Sequence, residues 1–192
     1  MSRVKEFDET EVLDQALELF RARGFKHTSF ANLVDELGVS RQSLYDTYGD
    51  KETLYHTALK RYLARGLDLI SRQLADPAPI RGVLTSLFDG MIDGQCANGS
   101  PGRLMVNSMV ELSPHDAEIR ALAQEHARSL EGLFASRLSA AQRQGEIAPD
   151  KDPVALARFF YHTVLGLAVA SRALGDKVSL RQTAHLSLKL LD

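Results

Sequence analysis

The 192 residues carry 23 Lys and Arg against 25 Asp and Glu, a formal net charge of −2, with 44% hydrophobic and 25% charged residues. That balance is ordinary for a globular chain and excludes a protein that coats nucleic acid through a general positive field. The single cysteine, Cys96, excludes an intrachain disulfide framework and fits a reducing, cytoplasmic setting. No apolar run approaches the roughly 18 residues needed to span a bilayer, and the charged start Met1-Ser2-Arg3-Val4-Lys5-Glu6 leads into no signal segment, so no membrane partner is expected.

Helical periodicity dominates the chain, without sustained strand-like alternation. Val12, Leu13, Ala16, Leu17, Leu19 and Phe20 form an apolar stripe flanked by Glu11, Asp14, Glu18 and Arg21, which predicts a first helix stopped at Gly24. Thr28 or Ser29 caps a short second helix holding Phe30, Leu33, Val34 and Leu37, and Gly38 ends it. Ser40 caps a third, from Arg41 to about Tyr48, before Gly49-Asp50 breaks the chain. Asp50 caps a long fourth helix with Leu54, Tyr55, Ala58, Leu59, Tyr62 and Leu63 on its inner side. Asp76-Pro77-Ala78-Pro79 opens a fifth helix that runs to about Gln95, Cys96 to Gly102 is a loop, and Arg103 to Leu112 is a short sixth helix. Ser113-Pro114-His115-Asp116 reads as a capping box for a seventh helix reaching Gln144. Asp152-Pro153 starts an eighth, ending near Gly175, and Ser179-Leu180-Arg181-Gln182 reads as the capping box of a ninth. The expectation is an all-α protein of nine helices.

The segment from Thr28 to Lys51 has the layout of a helix-turn-helix: two short helices around Gly38-Val39-Ser40. Val39 and Leu44 face inward and set the angle between the helices, while Arg41, Gln42, Ser43, Asp46 and Thr47 leave the third helix few apolar positions. A rigidly held helix that polar suits the major groove of DNA. Arg41 and Gln42, in its first turn, match guanine and adenine edges respectively, at about 1–3 kcal/mol of discrimination each. Asp46 either accepts from cytosine N4 or acts as a negative selector near phosphate. Thr28, Ser29, Tyr45, Thr47 and Lys51 surround the helix with donors suited to phosphate, and the N-terminus of helix four adds its amides. Through Lys60 there are eight basic and eleven acidic residues, so docking must rest on a few well-placed donors.

Gly24-Phe25, Thr28-Ser29, Gly38-Val39-Ser40-Arg41-Gln42-Ser43-Leu44-Tyr45 and Tyr48-Gly49-Asp50-Lys51-Glu52-Thr53-Leu54 together resemble the TetR (tetracycline-repressor) family in order and spacing. The resemblance covers about the first third of the chain. It implies phosphate contacts at Tyr45 and Lys51 and base reading at Arg41, Gln42 and Ser43. Val34 stands where the family usually has a small Ala, which implies slightly wider packing. Tyr48 stands in place of the usual Phe, with its ring expected inside and its hydroxyl outward. The resemblance also implies a two-domain protein: a DNA-binding domain at 1–52, a connecting fourth helix at 51–75, and a ligand-binding, dimerising domain at 76–192.

Two features of the second domain point the same way. The stretch Val154 to Leu174 is apolar nearly all round, so it must be covered on more than one side, and a second copy of the chain is the expected cover. Phe160, Val164, Leu167, Ala168 and Ser171, with Ala184, Leu188 and Leu191 of the last helix, are the expected homodimer interface, with Gly166 and Ala170 allowing close approach. Phe88, Met91, Met105, Met109 and Phe134 are expected to line a mainly hydrophobic effector pocket, with polar contacts from Asn107, Glu111, His126 and His162. Gly102-Arg103-Leu104-Met105-Val106-Asn107 is similar to a stretch that carries a reactive cysteine in some relatives, but Arg103 occupies that place; Cys96 is the alternative redox residue. The six histidines show no metal-ligand spacing and there is no phosphate-binding glycine loop, so neither catalysis nor a cofactor or metal is expected. The expected function is a ligand-responsive regulator, a repressor binding a palindromic operator as a dimer. The alternatives are a helical interaction protein without DNA binding and a redox-responsive regulator using Cys96.

Overall fold

The computed structural model of the chain describes residues 7–96 and 102–192. Among them are nine α-helices, a closing 3-10 turn at Leu188–Leu191, and no strand. The helices are α1 Glu9–Arg23, α2 Phe30–Leu37, α3 Arg41–Tyr48, α4 Lys51–Leu74, α5 Ile80–Cys96, α6 Gly102–Glu111, α7 Ala117–Arg143, α8 Pro153–Leu174 and α9 Lys177–Ser187. They form two compact units, Met1–Ala64 and Arg65–Asp192, and the division falls inside α4.

In the N-terminal unit each helix end has a local chemical reason. Asp8 accepts the amides of Thr10 and Glu11 at the start of α1. Ser29, not Thr28, caps α2, in a reciprocal box completed by Asn32. Ser40 accepts the Ser43 amide to start α3. Asp50 accepts both the amide and the hydroxyl of Thr53 at the start of α4, and these bonds hold its carboxyl below the usual carboxylate range. The core beneath them is made of Ala16, Leu17, Phe20, Leu33, Val39, Leu44, Leu54, Tyr55, Ala58 and Leu59, all buried. Phe20 meets Tyr55 edge-on at 4.9 Å and Phe25 packs on Tyr55 at 4.8 Å, which ties α1 and its exit loop to α4. Tyr48 is buried as expected, but its hydroxyl turns inward and donates to the Glu9 carbonyl at 2.9 Å; burial first, then the Glu9 and Asp8 charges, push its pKa up to about 12.

In the C-terminal unit α8 is the central element, packing against α5, α6, α7 and α9. Its Phe160 is fully buried, 5.9 Å from the ring of Phe88 and 6.4 Å from that of Phe134. Leu84, Leu87, Ile92, Leu138, Leu156, Val164, Leu167, Leu180 and Leu188 complete this core. The turn from α7 to α8 is held by Gln142, whose amide nitrogen donates to the carbonyls of Ala148 and Lys151. On the surface, Asp93 bonds Lys177 and Arg181, while Asp89 bonds His185 and pairs with Arg181, linking α5 to α9.

Several expectations need correction here. Helix α7 starts at Ala117 with Asp116 as its cap; Ser113 lies in a turn and its hydroxyl donates to the Met109 carbonyl instead. Helix α9 is capped by Asp176, so it starts before the Ser179 box. The stretch Pro153–Ser171 is long and apolar enough, by length and composition, to cross a bilayer, contrary to the reading that no run approaches that length; 44% of it is buried within the chain, where it forms the core of its unit. The expected dimer-interface residues Phe160, Val164, Leu167, Ala168, Ser171, Ala184, Leu188 and Leu191 are each at most 8% exposed in the single chain, because this is the face that packs on the chain's own helices. The outward stripe of α8 is instead Ala155, Phe159, His162, Gly166, Val169 and Ala173.

Gly38 connects α2 to α3 in the left-handed conformation, φ 64° and ψ 20°, and a Cβ built there meets nothing within 4 Å. The requirement for glycine is therefore one of backbone conformation and not of space. Gly38→Val is expected to lower stability by about 1–2 kcal/mol in urea unfolding, with Gly38→Asn closer to the parent.

Candidate nucleic-acid interface

Helix α3 is short, and only Leu44 and Tyr48 of its eight residues are buried. Both point down onto the unit's core, so the opposite side is left to polar groups. Arg41, Gln42, Tyr45 and Asp46 are exposed, and Ser43 and Thr47 lie half-buried at the edges. Tyr45 is 59% exposed, far more than its ring would accept if its role were packing.

Neighbouring elements hold the two cations of this surface. The Arg41 guanidinium lies 5.2 Å from the centre of the Phe30 ring, stacked on the first residue of α2. Lys51 Nζ donates to the Phe25 carbonyl at 3.1 Å and sits 4.1 Å from the centre of the Phe25 ring. An ammonium has three N–H groups, so Lys51 is oriented by its own chain and still has donors for a phosphate. Three arginines of the unit are paired within it: Arg21 with Glu18, Arg23 with Glu36 and Arg61 with Asp14.

The two hydroxyls at the start of α2 behave differently. Thr28 is completely buried, and its hydroxyl donates to the Gly24 carbonyl at 2.8 Å, so it braces the turn after α1 and is not part of the exposed donor set. Ser29 is exposed but occupied in its box with Asn32. Ser43 is likewise engaged, its hydroxyl accepting from Ser40. Gln42 donates to Asp46 at 2.7 Å, one turn along the same exposed face. Phe25 and Phe30, which position Lys51 and Arg41, were not legible as site residues, because contacts across a turn leave no periodic trace in the sequence.

The residues expected around an effector pocket differ in burial. Phe88 and Phe134 belong to the close-packed core, and Met91 packs against its edge. Met105 is buried on α6, with Asn107 and Met109 half-buried beside it. Glu111 and His162 are exposed, and His162 Nδ1 lies 2.7 Å from the Arg158 carbonyl. His126 on α7 is different: its Nδ1 is buried without a hydrogen-bond partner among the described residues, and burial lowers its pKa. The Tyr161 hydroxyl on α8, absent from the sequence reading, is also buried and unpartnered among those residues; burial, then the Glu131 charge, raise its pKa. A groove of about 490 Å³ between α4 and α7, lined by Leu67, Asp68, Ser71, Arg128, Ser129, Gly132 and Leu133, shares none of the expected pocket residues. Residues 97–101 and the side chains of Cys96 and Arg103 lie outside the described residues.

Residues 12–58 match the bacterial regulatory proteins of the tetR family, and residues 80–186 match the tetracyclin repressor-like C-terminal domain. The whole chain is 34% identical to the uncharacterized HTH-type transcriptional regulator YezE of Bacillus subtilis (strain 168), with 100% of both chains covered. The chain belongs to the TetR family of transcriptional regulators. It is also 30% identical to the HTH-type transcriptional repressor ComR of Escherichia coli (strain K12), over 98% of this chain and 90% of ComR. Its fold is shared with the TetR family regulator CifR, solved as a cysteine mutant complexed with a 26bp double-strand operator DNA, at a TM-score of 0.87 and 23% identity over 100% of both chains. In this TetR-family chain α2 and α3 are thus the helix-turn-helix of a DNA-binding domain.

Lys51→Gln is expected to weaken binding to all DNA sequences alike and to reduce the slope of log affinity against log salt by about one, as loss of a single phosphate contact requires. Titration of operator and unrelated duplexes at several salt concentrations checks this.

Proposed function

We propose that this regulator is a repressor that binds a roughly palindromic operator as a homodimer in the cytoplasm and is released by a small-molecule effector. The observation that carries the DNA half of this reading is the exposed polar face of α3, with Arg41, Gln42 and Tyr45 outward and Lys51 fixed beside it at the start of α4. On this reading Arg41 and Gln42 enter the major groove, and Tyr45, Thr47 and Lys51 take phosphates. Repression is the activity named for the similar regulator ComR. Selection from a random duplex pool tests the reading directly: a preferred, two-fold symmetric sequence is expected, and Arg41→Ala is expected to lose the preference at one base pair in each half-site.

The outward stripe of α8 supports a dimer. Ala155, Phe159, His162, Gly166, Val169 and Ala173 recur at alternating spacings of four and three, the period of one helix face, and all are exposed. A Cβ at Gly166 meets nothing within 4 Å, leaving room for a second helix. Val178 and Leu186 of α9 and Leu190 beyond it add exposed apolar surface. A two-fold interface would place two copies of α3 to read two half-sites. Val169→Glu is expected to give a folded monomer that has lost operator affinity, whereas Phe160→Glu is expected not to fold; sedimentation and circular dichroism separate the two outcomes.

The unpartnered Tyr161 hydroxyl and His126 Nδ1 support an effector that is mostly apolar and brings its own hydrogen-bonding group. A buried polar atom without a partner destabilises the empty protein by about 1–3 kcal/mol, which a bound polar ligand removes. Tyr161→Phe is therefore expected to unfold no earlier than the parent on heating, yet to need at least roughly tenfold more effector for operator release, using whichever compound a fluorescence screen for release identifies. Release itself is assigned to α4, which belongs to both units and carries Lys51 at its start. To reverse a 99:1 population, the effector must favour the released state about 10⁴-fold.

A further inference from the structure

Arg41, Gln42 and Ser43 of α3 stand at the base-reading positions that the resemblance implies, but the structure leaves them unequal. Ser43 is held at the helix start, its amide donating to Ser40 and its hydroxyl accepting from the same group. Arg41 is stacked on Phe30. Gln42 is exposed and, among the described residues, bonds along its own helix, through Nε2 to Asp46 Oδ1 at 2.7 Å, one turn on.

That bond limits what Gln42 can say to a base. A carboxylate only accepts hydrogen bonds, so the nitrogen end of the Gln42 amide must be the end that faces Asp46. One of the two Nε2 hydrogens is thereby used, and the amide keeps one donor hydrogen and one acceptor oxygen. Adenine offers one acceptor, N7, and one donor, N6, in the major groove; guanine offers two acceptors, N7 and O6. The remaining capacity of the paired Gln42 matches adenine and cannot satisfy guanine. The Asp46 carboxylate beside it adds a second reason, because its oxygens repel the guanine O6, which stands where adenine carries its N6 donor. An unpaired glutamine has both hydrogens and free rotation of its amide, and discriminates less.

We infer that Gln42 and Asp46 form one reading unit, in which Asp46 is a positioning residue that restricts Gln42 to adenine and rejects guanine at the same base pair. This rests on the DNA-binding reading above and adds to it a structural reason for the adenine preference and a division of labour. It differs from the two separate roles open to Asp46 in the sequence, acceptance from cytosine or repulsion near phosphate.

The test is selection from a random duplex pool by the full-length protein, followed by competition between adenine and guanine at the position that loses its preference in Gln42→Ala. The parent is expected to select adenine there. Asp46→Ala is expected to reduce the adenine-over-guanine ratio by roughly tenfold at that same position, while affinity for unrelated DNA stays equal or rises, since a negative charge has been removed. A merely structural role for Asp46 would instead lower affinity for all sequences together. Asp46→Asn, which keeps an oxygen able to accept from Gln42, is expected to retain more of the ratio than Asp46→Ala. The double variant is expected to be no less selective than Gln42→Ala alone. The inference is overturned if Asp46→Ala changes the ratio less than twofold, if it alters a base pair other than the one Gln42 reads, or if the parent selects a base other than adenine there. A parent that selects no sequence at all would instead remove the DNA reading, and this inference with it.

Discussion

An eight-residue helix with six polar or aromatic surface positions has little stability of its own in water, because nucleation consumes most of what so few hydrogen bonds return. Helix α3 exists because Leu44 and Tyr48 are buried beneath it, Ser40 caps its start, and glycines at positive φ, Gly38 and Gly49, turn the chain at either end. With stability supplied from below, its upper face is released from any packing role. That separation lets a domain with more acid than base present Arg41, Gln42 and Tyr45 outward while Arg21, Arg23 and Arg61 are spent on internal pairs.

The same logic governs α8 at larger scale. A helix apolar nearly all round has two faces to cover, and its own unit covers one of them with Phe88, Phe134 and Leu138 against Phe160 and Val164. The other face carries Phe159 and Val169 into solvent. Phe159 and Phe160 are adjacent in sequence, about 100° apart around the helix, and so belong to different environments. Among the described residues no further helix covers the outer stripe, which is the basis for the proposal that it meets a second copy.

Two buried polar groups, on α7 and α8, stand apart from the rest of the core. Most buried hydroxyls are satisfied locally, as Thr28 is by the Gly24 carbonyl, Ser108 by Leu104 and Ser187 by Ala184. Tyr161 and His126 are the exceptions among the described residues. Close-packed cores seldom leave such groups unmet, and both lie on helices that pack together, α7 and α8.

What the sequence by itself determined was local: helix positions, the glycine stops at Gly24, Gly38, Gly49 and Gly175, the caps at Ser40, Asp50 and Asp152, and the polar character of α3. Those features arise from residues within a few positions of each other, so their chemistry is visible in one dimension. Chain neighbours misplace two starts: they open the boxes at Ser113 and Ser179, whereas the caps are Asp116 and Asp176. Tertiary structure alone decided that Thr28 is a brace, that Tyr48 reaches the Glu9 carbonyl, that Phe88 and Phe134 are core, and which side of α8 faces outward. The reason is that a uniformly apolar helix carries no internal mark of its orientation; only the shapes of the helices packed on it select the face that is buried.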